Sequence, residues 1–163
     1  MKDNPVFVLD NNVLSGARLA GWFDSLGFWE GETALIVPAR VWQEEFQSQP
    51  HSVEEVPDWL CVREAEVEKL DVRAQGQLSI HDWCCIAIAE KESGRVVTND
   101  RPLYSRFEER GGTSIWGTKF LKRTFEKCGI SVLSFDEGVD EYIEDAYLPD
   151  RVADALRNAE KGD

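Results

Sequence analysis

The chain has 163 residues, 42% of them hydrophobic, which is enough to form one domain with a buried core. Its 31 acidic and 18 basic residues give a formal net charge of −13 at pH 7, which repels nucleic acids and anionic membranes at long range. A nucleic-acid substrate would therefore need a local cluster of cations. Because the sequence has no apolar segment long enough to span a bilayer and does not open with a signal peptide, we expect a cytoplasmic protein with no membrane partner.

The first part of the chain contains two apolar runs with a helical pattern between them. Val6–Leu9 is continuously apolar, which predicts a strand buried on both faces. A helix is predicted to begin at Asn12 or Ser15 and to end near Gly27. Leu35–Val37 is a second short apolar run and predicts a second strand.

The middle of the chain contains the strongest helical pattern. Pro38 is predicted to take the first turn of a helix over "ARVWQEEF", and Trp59–Val62 predicts a third strand. The segment "LSIHDWCCIAIAEKESG" predicts a long helix that ends at Gly94. The predicted inner stripe of this helix consists of Ile80, Cys84, Ala87 and Ile88.

The second half of the chain continues the alternation of strands and helices. We predict a strand over "RVVT", a helix over "RPLYSRFEERG", a strand over "SIW" and a helix over "TKFLKRTFEKCG". A last strand is predicted over "SVLSF", and two C-terminal helices follow it. Strands that alternate with helices predict a parallel sheet covered on both sides.

The four cysteines show no metal-binding spacing. No CxxC pair occurs, and the adjacent Cys84 and Cys85 would lie on different faces of a helix. We therefore interpret the cysteines as reduced, mostly buried side chains and not as zinc ligands. The complete set is Cys61, Cys84, Cys85 and Cys128.

Acidic residues stand at the ends of several predicted elements. Asp10 follows the first strand directly, and Asp100 follows "RVVTN". Asp82 lies in the first turn of the long helix, and Glu44 or Glu45 lies on the helix before it. In an open parallel sheet, ligands bind beyond the carboxyl ends of the strands. Acids that converge there repel one another unless a cation neutralises them, and an all-oxygen ligand set favours Mg²⁺ or Mn²⁺.

Each of these acids also has a purely structural interpretation. Asp82 stands three residues after Ser79, so the two could form a capping box. Asp100 could cap the helix that contains Pro102, Asp10 could cap the first helix, and the glutamates could form a solvated face. The joint pattern favours a cation site, and carboxylate-held divalent ions typically serve phosphoryl transfer.

The first two acidic segments resemble motifs of the PIN domain, the fold of many metal-dependent ribonucleases including the VapC-type toxins. "VLDNNVL" is similar to the family's opening motif, a hydrophobic strand followed by Asp and then by Asn or Ser, which corresponds to Asp10 and Asn12. "VPARVWQEEF" is similar to the second motif, in which a helix carries an acid. Counting from Pro38 favours Glu44 over Glu45, although a shift of one residue stays open.

The resemblance extends over nearly the whole chain. "LSIHDWCCIAIAEKESG" is similar to the third motif, with His81 and Asp82 where the family has Gly-Glu. "VVTNDRPL" closely resembles the fourth motif and contains Thr98, Asn99 and Asp100. "GTKFLKRTFEKCGI" and "YLPDRVADALRNAEKG" resemble later helices of a PIN subgroup of unknown function.

The resemblance implies a three-layer α/β/α PIN-like fold with a four- or five-stranded parallel sheet. The nuclease domain would cover residues 1–135, and a helical extension of the same domain would cover residues 136–163. The implied activity is Mg²⁺- or Mn²⁺-dependent endoribonuclease cleavage of RNA by the toxin of a toxin–antitoxin pair. A homodimer and a small antitoxin protein are the implied partners.

The motifs define the candidate site residues. The predicted catalytic residues are Asp10, Glu44, Asp82 and Asp100. The predicted metal ligands, direct or through water, are Asp10, Asp82 and Asp100. The predicted substrate-positioning residues are Asn12, Thr98, Asn99 and Arg101, of which Arg101 is the nearest candidate for a phosphate contact.

Two other functions stay open. The departure at His81 and Asp82 and the large negative charge are compatible with a non-catalytic PIN-like protein that binds RNA or a partner. A phosphatase of the haloacid-dehalogenase type also opens with a hydrophobic strand and Asp. That chemistry needs a second Asp two positions after the first, and position 12 is Asn.

The six tryptophans are potential stacking surfaces for unpaired bases. Four of them fall within apolar patterns and are predicted to be core residues. These four are Trp22, Trp42, Trp59 and Trp83. Trp29 and Trp116 lie near predicted turns, and their role stays open at the sequence level.

Overall fold

A computed structural model describes residues 6–20, 23–48, 55–67 and 78–128. The predicted strand over "SVLSF", the C-terminal helices, the domain boundary at residue 135 and Trp22 lie outside the described residues. Within the described ranges, no helix is long and apolar enough to cross a membrane.

Five strands and six helical segments alternate along the described chain. In chain order they are β1 (Val6–Leu9), α1 (Asn11–Ala20), a 3-10 helix (Phe23–Trp29), β2 (Ala34–Pro38), a π-helix (Val41–Phe46), β3 (Leu60–Arg63), α2 (Ile80–Glu92), β4 (Arg95–Thr98), α3 (Arg101–Glu109), β5 (Thr113–Trp116) and α4 (Gly117–Cys128).

The five strands form one parallel sheet in the order β3-β2-β1-β4-β5. The chain builds outward from β1 to β3 on one side and then returns to place β4 and β5 on the other. Helices α2 and α3 form one layer, and α1, the 3-10 helix and α4 form the other. This architecture confirms the predicted α/β class with a three-layer arrangement and fixes the strand number at five.

Helices cover both faces of the sheet, and the strands have only four or five residues each. Their central residues are almost completely buried. These residues include Phe7, Val8, Leu9, Leu35, Ile36, Val37, Val96 and Val97. Continuous apolar runs are typical of parallel strands covered by helices on both faces, and this is why the sequence pattern located them correctly.

The first predicted helix is wrong in its extent. Helix α1 begins at Asn11 and ends at Ala20, and a separate 3-10 helix contains Leu26 and Gly27. Gly27 does not end a helix. A Cβ atom at this position would come within 2.7 Å of the Trp59 ring, so glycine permits the close packing of the indole against the chain.

The second helix covers the predicted residues 39–46, but the prediction that Pro38 lies in its first turn is wrong. Pro38 is the last residue of β2 and pairs with Arg63 of β3, and the helical residues begin after it. The segment Val41–Phe46 is a π-helix, closed by a hydrogen bond from the Gln47 N–H to the Trp42 carbonyl oxygen at 2.8 Å. This bond spans five residues, one more than in an α-helix, and so shifts the faces of the helix.

The long helix α2 differs from its prediction at its amino-terminal end. Ile80, predicted on the inner stripe, is the first helical residue and is 40% exposed, whereas every residue from Trp83 to Ala89 is buried. The helix ends at Glu92, its cap Ser93 has a left-handed conformation, and the Gly94 N–H donates to the Ala89 carbonyl oxygen at 2.8 Å. A Cβ atom at Gly94 would stand 2.8 Å from the Val6 carbonyl oxygen, so close approach of β1 explains this glycine.

Candidate active site

The candidate site lies at the carboxyl ends of β1 and β4, the two adjacent central strands. Here the direction of chain progression across the sheet reverses, which opens a crevice above the strand ends. Asp10 directly follows β1, and Asn99 and Asp100 directly follow β4. The topology therefore brings together residues that are about ninety positions apart in the sequence.

Asp10 is held by both its main chain and its side chain. Its N–H donates to the Val97 carbonyl oxygen at 3.0 Å, and its carbonyl oxygen accepts from the Val13 N–H at 3.1 Å in the first turn of α1. The side-chain Oδ1 accepts from the Asn11 N–H at 2.8 Å, and Oδ2 accepts from the Thr98 hydroxyl at 2.7 Å. The carboxylate is therefore fixed at the end of β1 and almost fully buried.

Thr98 connects the two strand ends. Its Oγ1 donates to Asp10 and accepts from the Asp100 N–H at 3.0 Å. The Asn99 N–H donates to Oδ1 of Asn12 at 3.4 Å. The predicted positioning residues Asn12, Thr98 and Asn99 thus come together with Asp10 and Asp100, and they brace the two segments that carry these acids.

Asp82 and Asp100 also have the structural roles that the sequence suggested as an alternative. The Ser79 Oγ accepts from the Asp82 N–H at 3.1 Å, and the Asp82 Oδ2 accepts from the Ser79 N–H at 3.1 Å, which forms a complete capping box. The Asp100 side chain accepts from the Leu103 N–H at 3.3 Å and caps α3. Capping fixes the position of each of these two carboxylates.

The environment of Asp10 disfavours its charge. Burial, together with the negative charges of Asp82 and Glu45, raises the pKa of Asp10 from 3.8 to about 7. The hydrogen bonds from Thr98 and Asn11 act in the opposite direction, and they do not compensate. Asp10 is therefore close enough to two acids from other elements for their negative charges to repel its own.

Two of the neighbouring acids also have raised pKa values, so their charged forms are disfavoured as well. Burial raises the pKa of Asp82, with the charge of Asp100 adding to it against the hydrogen bonds of Ser79. Burial also raises the pKa of Glu45, as does the charge of Asp82, and His81 partly offsets both. Four carboxylates from four segments therefore interact at one edge of the sheet.

The structure separates Glu44 from Glu45. Glu44, the predicted catalytic acid, is exposed and accepts from Arg40 at 3.2 Å and from His81 Nε2 at 2.9 Å. The hydrogen bond from Arg40 lowers the pKa of Glu44, followed by that from His81. Glu45 is half-buried and is the glutamate whose charge acts on Asp10. Both glutamates lie in the π-helix, and Glu45 is the more buried of the two.

Two basic side chains of this region were given no role from the sequence. Arg40 pairs with Glu44 one helical turn away, and His81 lies between both glutamates, with Nδ1 at 3.6 Å from Glu45. His81 therefore links the two glutamates. Arg101, the predicted phosphate contact, is exposed at the start of α3, next to Asp100.

The candidate site fits a hard divalent cation in chemistry and charge. All four acids offer oxygen donors, and their mutual repulsion would be relieved by a cation. Their spacing is wider than one inner coordination sphere: across the described residues, no three His, Cys, Asp or Glu side chains lie close enough together to hold a metal ion. Mg²⁺ keeps several of its waters when bound, so it tolerates a site of this kind better than most cations.

The fold is similar to that of a solved PilT N-terminus (PIN) domain protein from the hyperthermophilic archaeon Sulfolobus solfataricus P2. The two structures superpose with a TM-score of 0.51 at 12% sequence identity, and the match covers 74% of this chain and 94% of that one. No protein-family model and no curated protein matches the sequence. The likeness shows a shared fold, with the five-stranded parallel sheet and its helices.

Proposed function

We propose that this PIN-like chain is a divalent-metal-dependent endoribonuclease. The observation that carries the proposal is Asp10, a buried carboxylate at the reversal point of the sheet whose pKa is raised to about 7 by burial and by the charges of Asp82 and Glu45. A protein gains nothing in stability from gathering like charges in this way. A bound cation would turn the arrangement into a favourable one.

In this proposal, Asp10, Asp82 and Asp100 hold Mg²⁺ or Mn²⁺, directly or through water. The cation would neutralise charge on the scissile phosphate and on the leaving oxygen. Thr98 keeps Asp10 in place by its hydrogen bond, and Asn12 restrains the Asn99 main chain. Each of these contacts fixes a carboxylate-bearing segment before the substrate arrives, which reduces the reorganisation that the reaction requires.

Glu45 takes the role that the sequence assigned to Glu44. A carboxylate with a raised pKa is a stronger proton acceptor for an attacking water. Glu44 is committed to Arg40 and His81, and it supports Glu45 only through the shared histidine. Arg101 is exposed at the same edge and can contact a non-bridging phosphate oxygen.

The finer biological assignments rest on the sequence resemblance. They comprise a toxin of a toxin–antitoxin pair, an antitoxin protein as a partner, a homodimer and a cytoplasmic location. A fold shared at 12% identity supports none of these directly. They belong to the proposal as its biological setting, and a small neighbouring open reading frame would support the toxin role.

The second candidate function is a non-catalytic PIN-like protein that binds RNA. Asp82 and Asp100 already cap helices, and no three His, Cys, Asp or Glu side chains of the described residues lie close enough together to hold one metal ion. Under this alternative the acids are structural, and Mn²⁺ would bind without dependence on them.

Cleavage of a labelled RNA with and without Mn²⁺ separates the two candidates. The variant is Asp100→Asn, because asparagine caps helices as well as aspartate does and keeps the fold while removing the charge. We expect wild-type cleavage that requires Mn²⁺ and a loss of about 100-fold or more in the variant, on the scale of losing a charge-stabilising group. Equal cleavage by both proteins, or none by the wild type under any metal condition, would contradict the proposal.

A further inference from the structure

Basic residues are concentrated in one part of this acidic chain. Residues 101–128, which form α3, β5 and α4, contain seven basic and three acidic residues, against a net charge of −13 for the whole chain. Arg101 is exposed at the first position of α3, and Lys119 is exposed in the first turn of α4. Both helices begin where β4 and β5 end, so these cations stand at the same edge of the sheet as Asp10 and Asp100.

An aromatic pair lies at this same edge. The rings of Tyr104 and Trp116 are stacked, with centroids 4.2 Å apart and planes 11° from parallel. Trp116 ends β5 and is the register partner of Thr98, the residue that holds Asp10. Tyr104 lies one turn into α3, with its N–H donating to the Asp100 carbonyl oxygen at 3.0 Å. Trp116 is therefore paired with the β4 residue two positions before Asp100, and Tyr104 lies one helical turn after Asp100.

This pair differs from the other aromatic contacts of the molecule. Trp29 stacks on Phe120 and packs against the hydrophobic core, and Trp59 packs against the core beside Phe23. Tyr104 and Trp116 are half-buried and pack on each other next to the charged edge. Trp116, whose role the sequence left open, is thus placed beside the candidate site and not within the core.

We propose that the Tyr104–Trp116 pair is a stacking platform for an unpaired base next to the scissile phosphate. The inference rests on the proposed nuclease function and adds a substrate-binding site to it. Base–aromatic stacking tolerates every base but requires that the base be free of its duplex partner. The neighbouring Arg101 and Lys119 supply the charge that attracts the phosphate backbone toward an otherwise repulsive protein.

The test uses single-stranded oligoribonucleotides in which one base at a time is removed to leave an abasic position. With the wild-type protein, removal of the stacked base raises KM by about 10-fold to 100-fold and leaves kcat nearly unchanged, since each stacked base carries that scale of affinity. Abasic positions elsewhere have little effect. A flat KM profile over all positions overturns the platform without requiring any variant.

Variants locate the stacking to the pair. Trp116→Ala raises KM on the intact RNA, but it shows no further increase on the abasic RNA that affects the wild type. Trp116→Phe restores most of the affinity, because an aromatic ring is kept. Phe28→Ala is the matched control, since Phe28 is 58% exposed and lies before the turn that enters β2, at the opposite edge of the sheet. If Trp116→Ala raises KM above the wild-type value by the same factor on intact RNA and on abasic RNA, the proposal is overturned.

Failure of the proposed function gives a different result from failure of the platform. If the wild type cleaves no RNA, the nuclease proposal falls, and the platform is then tested by fluorescence anisotropy with the same labelled oligonucleotides. Binding that weakens at one abasic position supports the platform, and binding that is unchanged at all positions overturns it. If the wild type cleaves RNA with a flat abasic profile, only the platform falls.

Discussion

The two ends of the central sheet treat their acidic residues in opposite ways. At the amino-terminal end, where α2 and α3 finish, Glu90 accepts two hydrogen bonds from Arg110 at 2.6 and 2.9 Å beside a cavity of about 470 Å³. At the carboxyl end, Asp10, Asp82 and Asp100 form no salt bridge with a lysine or arginine of the described residues. The acid at the amino-terminal end is therefore paired with a base, whereas the acids at the carboxyl end repel one another.

The difference indicates what each end is for. Glu90 and Arg110 join two helices and stabilise the fold, and Arg110 also lies over the Trp83 ring at 5.7 Å. Asp10 sits in a field that raises its pKa to about 7, so its charge costs folding free energy. Proteins keep such unfavourable clusters where a ligand or a reaction requires them.

The largest expected effect is on catalysis at the carboxyl end. Asp10→Asn keeps the size of the side chain and can still accept from Thr98, but it removes the charge. We expect RNA cleavage to fall by about 1,000-fold or more, as for the loss of a main charge-stabilising group, with an unchanged circular dichroism spectrum. Single-turnover cleavage measures the effect. Retention of wild-type activity in the variant would remove Asp10 from the site.

Glu44 and Glu45 provide the sharpest comparison between neighbours. We expect Glu45→Gln to reduce kcat by about 100-fold, the scale of a general base. Glu44→Gln should reduce it by no more than a few-fold, because Glu44 is exposed and paired with Arg40. The reverse order of effects would show that Glu44, the residue favoured by counting from Pro38, is the catalytic glutamate.

The pH dependence of stability should also reflect Asp10. Its pKa is raised on folding, so the metal-free protein binds this proton more tightly when folded. The stability due to Asp10 is fully present below its unfolded pKa of 3.8 and is lost as the pH rises through about 7. We expect urea unfolding to show a loss of about 2–4 kcal/mol over that interval, since one pKa unit corresponds to about 1.4 kcal/mol.

Two variants check the origin of this pH effect. Asp10→Asn should flatten most of the decline and should be more stable than the wild type near neutral pH. Asp58→Asn, at an exposed position, is the matched control and should keep the decline. A decline of equal size in Asp10→Asn would show that other groups cause it.

The smallest effect is expected at the amino-terminal end. Glu90→Gln removes one charge of a partly exposed ion pair, so its cost in unfolding free energy should be about 1 kcal/mol or less. Cleavage should be unchanged. A loss of cleavage comparable to that of Asp10→Asn would mean that the two ends of the sheet are not functionally distinct.

The fold was predictable because its signals are local. Apolar runs such as Val6–Leu9 identified the strands, and parallel topology then placed Asp10 and Asp100 at one edge. The capping roles of Asp82 and Asp100 were also predictable, since they depend on spacing within one turn. Features that depend on residues close together in the sequence, such as strands and helix caps, could therefore be predicted.

Other features depend on packing between distant segments and could not be predicted. Counting from Pro38 favoured Glu44 and left a shift of one residue open, and Glu45 is the more buried of the two and the one whose charge acts on Asp10. Gly94 closes α2 as predicted, but nothing in the sequence indicated that Val6 passes so close to it that a Cβ atom would not fit. The Tyr104–Trp116 stack joins a helix and a strand, and no spacing rule relates the two residues.

The central claim is that the acids of the carboxyl end gather around a divalent cation. Isothermal titration of Mn²⁺ into the wild type, Asp10→Asn and Glu90→Gln tests it without any assumption about RNA. We predict measurable binding that Glu90→Gln keeps and that Asp10→Asn weakens by about 10-fold or more, the scale reported for disturbed metal sites. Mn²⁺ affinity that is the same in all three proteins, or that none of them shows, would contradict the claim.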